Sequence, residues 1–308
     1  MKTMLVGYTG FVGSNLSCQY DFTERYNSKN IEDAYGSKPD LLIYAGIRAE
    51  KYLANQDPNK DLRNLENAFY NIQQIQPKKL VLISTIDVYK SPINVNEDTP
   101  IISEDLQPYG ANRYYLEQKV RDDFPETLII RLPGLFGKNI KKNFIYDYIH
   151  YIPSMIQNEK FGKLATVRHE LNNYYKLQDN GFYKCSDISC EEKEALKTIF
   201  KELGFSALNF TDSRGVFQFY NLKHLWNHIK YALKNDLYLL NLATEPIGIA
   251  ELYHYLEGKK FQNIISNNPP YYDFKTKHDT LMGGKRGYIF DKDNVLAEIK
   301  TFIQEQSC

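Results

Sequence analysis

Tyr109 and Arg113 are the pair of residues in this chain whose types and spacing best fit proton transfer. Residues four apart on a helix share a face, so the phenol and the guanidinium can point the same way. A phenol with its reference pKa of about 10 is a poor base at neutral pH, and a fixed cation beside it lowers that pKa. Thr85 ends an apolar run and is placed to hydrogen-bond the same substrate oxygen. These three side chains predict an acid/base site for a hydroxyl or keto group.

Three glycines near the start of the chain predict a binding site for a dinucleotide. Gly7, Gly10 and Gly13 directly follow a short apolar run. The first permits a tight turn, the second lets the backbone approach a phosphate, and the third lets a helix pack closely on the strand. The free amides at that helix start, those of Phe11 and Val12 among them, would face the pyrophosphate.

Short apolar runs alternate with helical patterns through the first half of the chain. Runs of about five apolar residues suit strands that are covered on both faces of a parallel sheet. The alternation predicts βαβ units, and therefore a doubly wound, Rossmann-type parallel sheet. The predicted strands are at 41–45, 80–84 and 128–132, with a poorly marked second strand near Asp21 to Tyr26, and the predicted helices are at 59–76 and 110–123.

The pattern changes after residue 138. Up to about 215 the chain is aromatic, polar and mostly helical in pattern, with a loop-like Gln178–Gly181. Beyond it we expect a strand at 216–220, a helix at 226–233, a strand at 237–242 and a helix at 246–256. We therefore expect a dinucleotide-binding domain at 1–140 plus about 216–250. A smaller, discontinuous substrate lobe is expected at about 141–215 and 251–308.

Several segments resemble motifs of the extended short-chain dehydrogenase/reductase superfamily, which includes nucleotide-sugar epimerases, dehydratases and reductases. The likeness spans most of the chain, although 140–215 is not recognisable. The segments that carry it, besides the glycines, are Tyr44–Gly46, Ile83–Tyr89, Tyr109–Glu117, Arg131–Gly137 and Tyr238–Leu242.

The resemblance implies a role for each matching residue. Tyr109 would be the general acid/base, Arg113 would lower its pKa and hold the nicotinamide ribose, and Thr85 would orient the substrate oxygen. The expected function is an NAD(P)-dependent reductase or epimerase acting on a hydroxyl or keto carbon of a sugar, one linked to a nucleotide. The cofactor would be bound by Gly7, Gly10, Phe11, Val12, Gly13, Ala45, Gly46, Tyr109, Arg113 and Pro133.

Position 113 departs from the family pattern, because relatives carry lysine there. Arginine keeps the charge, but its donors form a rigid fork, so the exchange is not conservative at a constrained site. A catalytically silent protein that binds a dinucleotide is therefore the alternative. A second register, Tyr115 to Lys119, also reads Tyr-x-x-x-Lys, but it loses the neighbouring Gly110 and Glu117. Dehydration is less favoured than reduction or epimerisation, since Ile86-Asp87 stands where dehydratases place Asp-Glu.

The end of the second strand bears on the choice of cofactor. An acidic residue there holds the ribose 2′-hydroxyl of NAD, whereas a cationic or polar pocket takes the 2′-phosphate of NADP. Asn27, Ser28 and Lys29 favour NADP, and Glu24 leaves NAD open.

Composition limits the partners. Lys plus Arg (38) equals Asp plus Glu (38), which gives no general attraction to nucleic acid or anionic membranes. The four cysteines, Cys308 among them, form no CxxC pair, and His224 with His228 lacks a third ligand, so no metal site is predicted. We expect a cytosolic protein with no signal peptide or membrane span, a small-molecule sugar substrate and, by analogy with related folds, a homodimer.

Overall fold

The protein is described by a computed structural model that covers residues 1–306, so Cys308 lies outside the described chain. The strands are β1 (Thr3–Val6), β2 (Glu24–Tyr26), β3 (Leu41–Tyr44), β4 (Leu80–Thr85), β5 (Leu128–Leu132), β6 (Gly134–Phe136), β7 (Met155–Gln157), β8 (Tyr175–Leu177), β9 (Phe182–Cys185), β10 (Val216–Phe217), β11 (Phe219–Asn221), β12 (Leu239–Asn241) and β13 (Ile247–Gly248). The helices are α1 (Phe11–Gln19), α2 (Lys51–Gln56), α3 (Pro58–Ile75), α4 (Pro108–Asp123), α5 (Phe144–His150), α6 (Asn158–Val167), α7 (Cys190–Glu202), α8 (Leu225–Lys234), α9 (Ile249–Glu257) and α10 (Lys292–Gln306).

The main sheet of the described chain is parallel and has the strand order β12-β5-β4-β3-β1-β2. Strand β1 pairs with β2 on one side and with β3 on the other, with Met4 opposite Glu24 and Leu42. The order of the strands therefore reverses between β1 and β3. In open α/β sheets, ligands bind outside the carboxyl ends of the strands at such a reversal. The predicted doubly wound parallel sheet is confirmed.

Both faces of this sheet are covered by helices. Successive side chains of a strand point to opposite faces, so a strand covered on both sides is apolar throughout. One face packs against α1 and α8, and the other packs against α3 and α4. Representative buried residues are Leu5, Ile43, Val81, Leu16 and Trp226 on the first face, and Met4, Leu42, Leu82, Ile72 and Leu116 on the second.

The strands and helices predicted in the first half lie where the structure has them. The strands predicted at 41–45, 80–84 and 128–132 are β3, β4 and β5, and the helices predicted at 59–76 and 110–123 are α3 and α4. The poorly marked second strand is the short β2, followed by a single 3₁₀ turn at Ile31–Ala34. The strand is weakly marked because each of its three residues is only part-buried.

Contacts between Cα atoms divide the chain into two compact units, and the first comprises residues 1–140, 216–247 and 270–300. The sequence placed 251–308 in the second lobe, whereas 270–300 lies in this first unit. The buried side chain of Gln218 helps to join the segment 270–300 to the first unit. It donates to the carbonyl of Phe274 (2.8 Å) and accepts from the amide of Phe274 (2.9 Å). The hydroxyl of Thr276 donates to Glu97 at 2.6 Å.

Within the described chain, the second unit comprises residues 141–215, 248–269 and 301–306. It holds α5, α6, α7 and α9, together with an antiparallel sheet in the order β7-β9-β8. The sequence predicted a mostly helical region and missed these strands, which are three or four residues long. The predicted loop at Gln178–Gly181 is the turn between β8 and β9, where the Gln178 amide donates to the carbonyl of Phe182 (2.8 Å).

Candidate active site

The three glycines bring β1, α1 and β3 into close contact. Gly7 has a φ of +90°, and a Cβ on it would lie 2.5 Å from the carbonyl oxygen of Ala45. A Cβ on Gly13 would lie 2.1 Å from the carbonyl oxygen of Gly7. Neither distance can be accommodated without moving backbone, so only glycine fits at these two positions. Ala45 and Gly46 therefore lie directly beside the turn, and their predicted contact with the cofactor stays a prediction.

Helix α1 begins at this turn with its amides free of a capping side chain. Its N-cap is Gly10, and the Ser14 amide donates to the Gly10 carbonyl at 2.9 Å. The amides of Phe11, Val12 and Gly13 precede that first helical bond, so they have no acceptor within the helix. A helix start with free amides beside a glycine turn fits the pyrophosphate of a dinucleotide.

The residues after β2 form a tight polar turn beside the glycines. The Gly7 amide donates to the Tyr26 carbonyl at 2.7 Å, which fixes the end of β2 against the end of β1. The Asn27 side chain accepts from the Lys29 amide at 2.9 Å, and the Lys29 side chain is exposed. Glu24 is held by Lys2 (3.2 Å) and by the Tyr26 hydroxyl (3.0 Å).

Tyr109 and Thr85 meet at the carboxyl edge of the sheet. Thr85 is the last residue of β4, and Tyr109 lies in the first turn of α4 with only 6% of its surface exposed. The Tyr109 amide donates to the side chain of Asn55 at 2.9 Å. A Cβ on Gly110 would lie 2.1 Å from the carbonyl oxygen of Asp87, so the helix packs directly on the segment that follows Thr85. A hydrogen bond from Thr85 acts on the phenol and lowers its pKa, while the predicted bond of Thr85 to a substrate oxygen stays a prediction.

Several groups act on the pKa of the Tyr109 phenol. Burial raises it most, and the nearby Arg113 lowers it. Asp87 raises it, whereas the hydrogen bond with Thr85 and the charge of Lys51 lower it. The net pKa is raised. Arg113 thus acts in the direction that the sequence predicted, but burial is the larger effect.

Arg113 is buried, and protein groups use three of its donor positions. Its Nη1 lies 2.5 Å from a carboxylate oxygen of Asp61 and 3.2 Å from the carbonyl of Tyr109. Its Nη2 donates to the carbonyl of Arg48 at 2.7 Å. The guanidinium carbon lies 3.8 Å from the centre of the Tyr109 ring, so the cation stacks on the ring face. The predicted contact of Arg113 with a nicotinamide ribose stays a prediction.

No family model and no curated protein sequence matches the chain. Solved structures match it at low identity over nearly its whole length. The dTDP-4-dehydrorhamnose reductase of Bacillus anthracis, in complex with NADP, is 17% identical, with a TM-score of 0.63 and 99% of each chain covered. UDP-glucose 4-epimerase of Thermotoga maritima, with UDP-glucose, is 12% identical, with a TM-score of 0.61, covering 99% of this chain and 98% of that one. WbmG of Bordetella bronchiseptica, in complex with NAD and UDP, is 14% identical, with a TM-score of 0.63, covering 99% of this chain and 94% of that one.

The chain shares the fold of these three enzymes, which are extended short-chain dehydrogenases and reductases. The resemblance predicted from the motifs is confirmed at this level. In this fold, the glycine turn after β1 and Thr85 at the end of β4 lie on one edge of the sheet. Pro133, which directly follows β5, is half-buried at the same edge.

Three further residues form a cluster, two of them acting on the pKa of Tyr109, and the sequence did not single them out for a role. Asp87 accepts from the Lys51 ammonium (2.9 Å) and from the Tyr272 hydroxyl (3.0 Å). Asp87 lies within one of the motifs that resemble the superfamily, but the sequence does not show which residues it contacts, so no role could be predicted for it. Lys51 begins a six-residue helix, and Tyr272 is distant in sequence.

The two histidines four apart have protein partners. His224 Nε2 lies 2.7 Å from Glu298, and His228 Nδ1 lies 2.7 Å from the Tyr220 hydroxyl. Burial lowers the pKa of His228 to about 4. Within residues 1–306 no cluster of three or more His, Cys, Asp or Glu is arranged to hold a metal ion. In the same part of the chain, no helix has both the length and the hydropathy needed to cross a membrane.

Proposed function

We propose that this protein is an NADP(H)-dependent reductase or epimerase that acts on a hydroxyl or keto carbon of a nucleotide-linked sugar. The observation that carries the proposal is the buried phenol of Tyr109. It lies beside Thr85 on the sheet edge where Gly7 and α1 form a cradle for an anion. A carbinol carbon gains or loses hydride only if its oxygen gains or loses a proton. At this edge of the sheet, Tyr109 would transfer the proton, and the cradle would hold the dinucleotide that exchanges the hydride.

The cofactor site is argued from backbone geometry and charge. Bound NADPH would supply the hydride. Gly7, Gly10 and Gly13 would shape the space for its pyrophosphate, and the free amides of Phe11 and Val12 would bind it. Ala45, Gly46 and Pro133 would line the remainder at the same edge.

NADP is favoured over NAD by the turn after β2. Lys29 is exposed in that turn with Asn27 and Ser28, where a 2′-phosphate would meet a cation. Glu24, the acidic alternative, is held by Lys2 and by the Tyr26 hydroxyl.

Tyr109 is suited to give a proton to the substrate oxygen. Its pKa is raised, chiefly by burial, so the phenol is protonated at neutral pH. A protonated phenol donates, which favours the direction in which a keto group is reduced. The Thr85 hydroxyl, fixed at the end of β4, would hydrogen-bond the same oxygen and orient it.

The choice of substrate class draws on the structural neighbours. They include a reductase of dTDP-4-dehydrorhamnose with NADP and an epimerase with UDP-glucose. We infer a nucleotide-linked sugar as the substrate class. A homodimer in the cytosol, with no nucleic acid or membrane as partner, stays our prediction.

One observation favours a second candidate, a catalytically silent protein that binds a dinucleotide. Three of the N–H donors of Arg113 bind protein groups, namely Asp61 and the carbonyls of Arg48 and Tyr109. In that case Arg113 would stabilise the fold and not the transition state.

Cofactor binding and turnover together test the proposal. We expect any nucleotide released from the purified protein to carry a 2′-phosphate, and NADPH to bind more tightly than NADH. With a panel of keto-sugar nucleotides and NADPH, Tyr109→Phe should lower kcat about 100-fold or more and leave the Kd of NADPH unchanged. Tyr115→Phe is the matched control, since Tyr115 is 38% exposed on the same helix.

The opposite results separate the alternatives. Tight NADPH binding without turnover on the panel would favour the silent protein. Absence of NADPH and NADH binding would overturn both candidates.

A further inference from the structure

The cation beside Tyr109 is paired with a carboxylate from another helix. Nη1 of Arg113 lies 2.5 Å from a carboxylate oxygen of Asp61, and the exposed fractions of the two side chains are 4% and 12%. Opposite charges this close act on a third group as a dipole, whose potential falls off faster with distance than that of a single charge. The paired guanidinium therefore favours ionisation of the phenol much less than a free one would.

Asp61 also helps to fix where the guanidinium lies. The guanidinium carbon is 3.8 Å from the centre of the Tyr109 ring, so the cation covers the ring face. Nη2 donates to the carbonyl of Arg48 at 2.7 Å, and Nη1 contacts the carbonyl of Tyr109 at 3.2 Å. Together with the bond to Asp61, these contacts hold the fork over the ring and direct three of its donors to groups other than the hydroxyl.

The carboxylate of Asp61 is itself held in place by both helices. Asp61 lies in the first turn of α3, where the helix dipole favours a negative charge. The side-chain amide of Asn112, the residue before Arg113 on α4, donates to Asp61 at 2.9 Å and to the carbonyl of Pro58 at 3.1 Å. Asn112 and Arg113 bind the same oxygen, Oδ2, so this one atom joins α3 to the helix that carries Tyr109.

The second cation that acts on the phenol is also paired. Besides Arg113 on α4, the groups that act on it are Thr85 at the end of β4, Asp87 directly after β4, and Lys51 on α2. Lys51 lies 2.9 Å from Asp87, which also accepts from the Tyr272 hydroxyl at 3.0 Å. With both cations offset by carboxylates, burial has the largest effect, and the pKa of the phenol is raised.

We propose that Asp61 is a positioning residue of the Tyr109 site, which holds Arg113 on the face of the ring and offsets its charge, so that the phenol remains a proton donor. The inference rests on the proposed role of Tyr109. It also gives arginine a role at position 113, because the fork reaches Asp61 and the Arg48 carbonyl with two different nitrogens, which a lysine ammonium lacks.

The inference narrows the proposed function to the reduction of a keto-sugar. An epimerase that begins by oxidising a hydroxyl needs the phenol as a base, whereas a reductase needs it as an acid. In the reductive direction the substrate oxygen takes the proton of Tyr109 as the hydride of NADPH reaches the carbon. Water then reprotonates the phenolate.

The proposal is tested by titrating the phenol in the intact protein without substrate. The carbon-13 resonance of Tyr109 Cζ, in protein with labelled tyrosine, is assigned by its loss in Tyr109→Phe and followed as the pH is raised. Asp61→Asn should lower the midpoint by about one pH unit, because the charge of Arg113 is no longer offset. Asp61→Glu keeps the charge and should leave the midpoint near that of the unmodified protein.

Two further variants control for the removal of charge. Asp57→Asn removes a carboxylate from the N-cap of the same helix, where asparagine caps as well as aspartate, and should leave the midpoint unchanged. The double variant Asp61→Asn, Arg113→Met removes both charges of the pair. It should bring the midpoint back towards that of the unmodified protein, because a neutral pair replaces one without net charge.

Turnover in the two directions gives the second measurement. In Asp61→Asn, kcat for oxidation of the alcohol product with NADP should rise several-fold at about pH 8, because a larger fraction of the phenol is ionised. Reduction with NADPH should begin to fall at a lower pH than in the unmodified protein. A purely structural loss would lower kcat in both directions.

The two measurements fail separately. A protein without turnover on any keto-sugar nucleotide would refute the proposed function, while the midpoints would still judge the role of Asp61. A midpoint in Asp61→Asn equal to or above that of the unmodified protein overturns the inference, even if turnover is found. An equal fall in Asp57→Asn overturns it as well, since the effect would then not depend on the contact with Arg113.

Discussion

Glu117 in the first unit and Asp147 in the second are both removed from water, but only Glu117 is paired with a cation. Glu117 is fully buried and accepts from Nε of Arg131 at 3.0 Å and from Nη2 at 2.5 Å. The Ser84 hydroxyl donates to the same carboxylate at 2.6 Å. Asp147, on α5, is part-buried, and burial alone raises its pKa to about 7.

The contrast shows two ways of accommodating a desolvated carboxylate. A buried charge is tolerated when an opposite charge and hydrogen bonds replace its water. Where they do not, the group takes up a proton near neutral pH. Glu117 is thus held between helix α4 and the sheet by Arg131 and Ser84. Asp147, with a pKa of about 7, changes its charge within the physiological pH range.

The largest expected effect comes from breaking the ion pair between Glu117 and Arg131. Arg131→Met should lower the free energy of unfolding by about 3–5 kcal/mol, because it leaves Glu117 buried without its cation. Arg131 also donates to the Tyr89 hydroxyl at 2.8 Å, so a second buried group loses one of its two hydrogen bonds and keeps the one to the Asn96 carbonyl. Denaturant unfolding measures the change.

A surface pair is the control for that experiment. Lys78→Met removes the exposed bridge to Asp40 and should change stability by about 0.5 kcal/mol or less. A loss of under about 1 kcal/mol in Arg131→Met would contradict the view that pairing makes Glu117 tolerable.

Arg113 and Asp61 form an intermediate case, and the expected effect is smaller. The Asp61 side chain is 12% exposed, so water can partly replace a lost partner. Arg113→Lys keeps the charge but loses the fork that reaches both Asp61 and the carbonyl of Arg48. We expect a loss of about 1–2 kcal/mol in denaturant unfolding, since hydrogen bonds to a charged group are broken. A gain in stability would show that arginine at this position is not held by those contacts.

Local sequence patterns predicted much of the fold and part of the site. The apolar runs of β3, β4 and β5 are covered on both faces, so their composition marks them directly. Glycine at positions 7 and 13 likewise indicates close backbone contacts, because a side chain would not fit there. The convergence of Thr85 and Tyr109 followed from motifs that each lie on one element.

The remaining features depend on contacts between distant parts of the chain. Asp61 lies 52 residues before Arg113, and Tyr272 lies 185 residues after Asp87, so no local pattern pairs them. The pKa of Tyr109 likewise depends on how deeply its side chain is buried, and this depth cannot be predicted from the residue types alone. The strands β7 to β9 are too short to show a clear period.

The remaining expected effect concerns Asp147, and unlike the others it depends on pH. Its folded pKa of about 7 lies above the unfolded value of 3.8, so its favourable contribution is full below pH 4 and is lost as the pH rises through 7. Asp147→Asn avoids that loss. Between pH 4.5 and pH 8 the variant should gain about 3 kcal/mol in stability relative to the unmodified protein, as urea unfolding at the two pH values would measure. Asp179→Asn, at an exposed turn of the same unit, should show no such dependence. An equal difference at both pH values, or a less stable variant at pH 8, would mean that Asp147 is paired after all and would remove the contrast with Glu117.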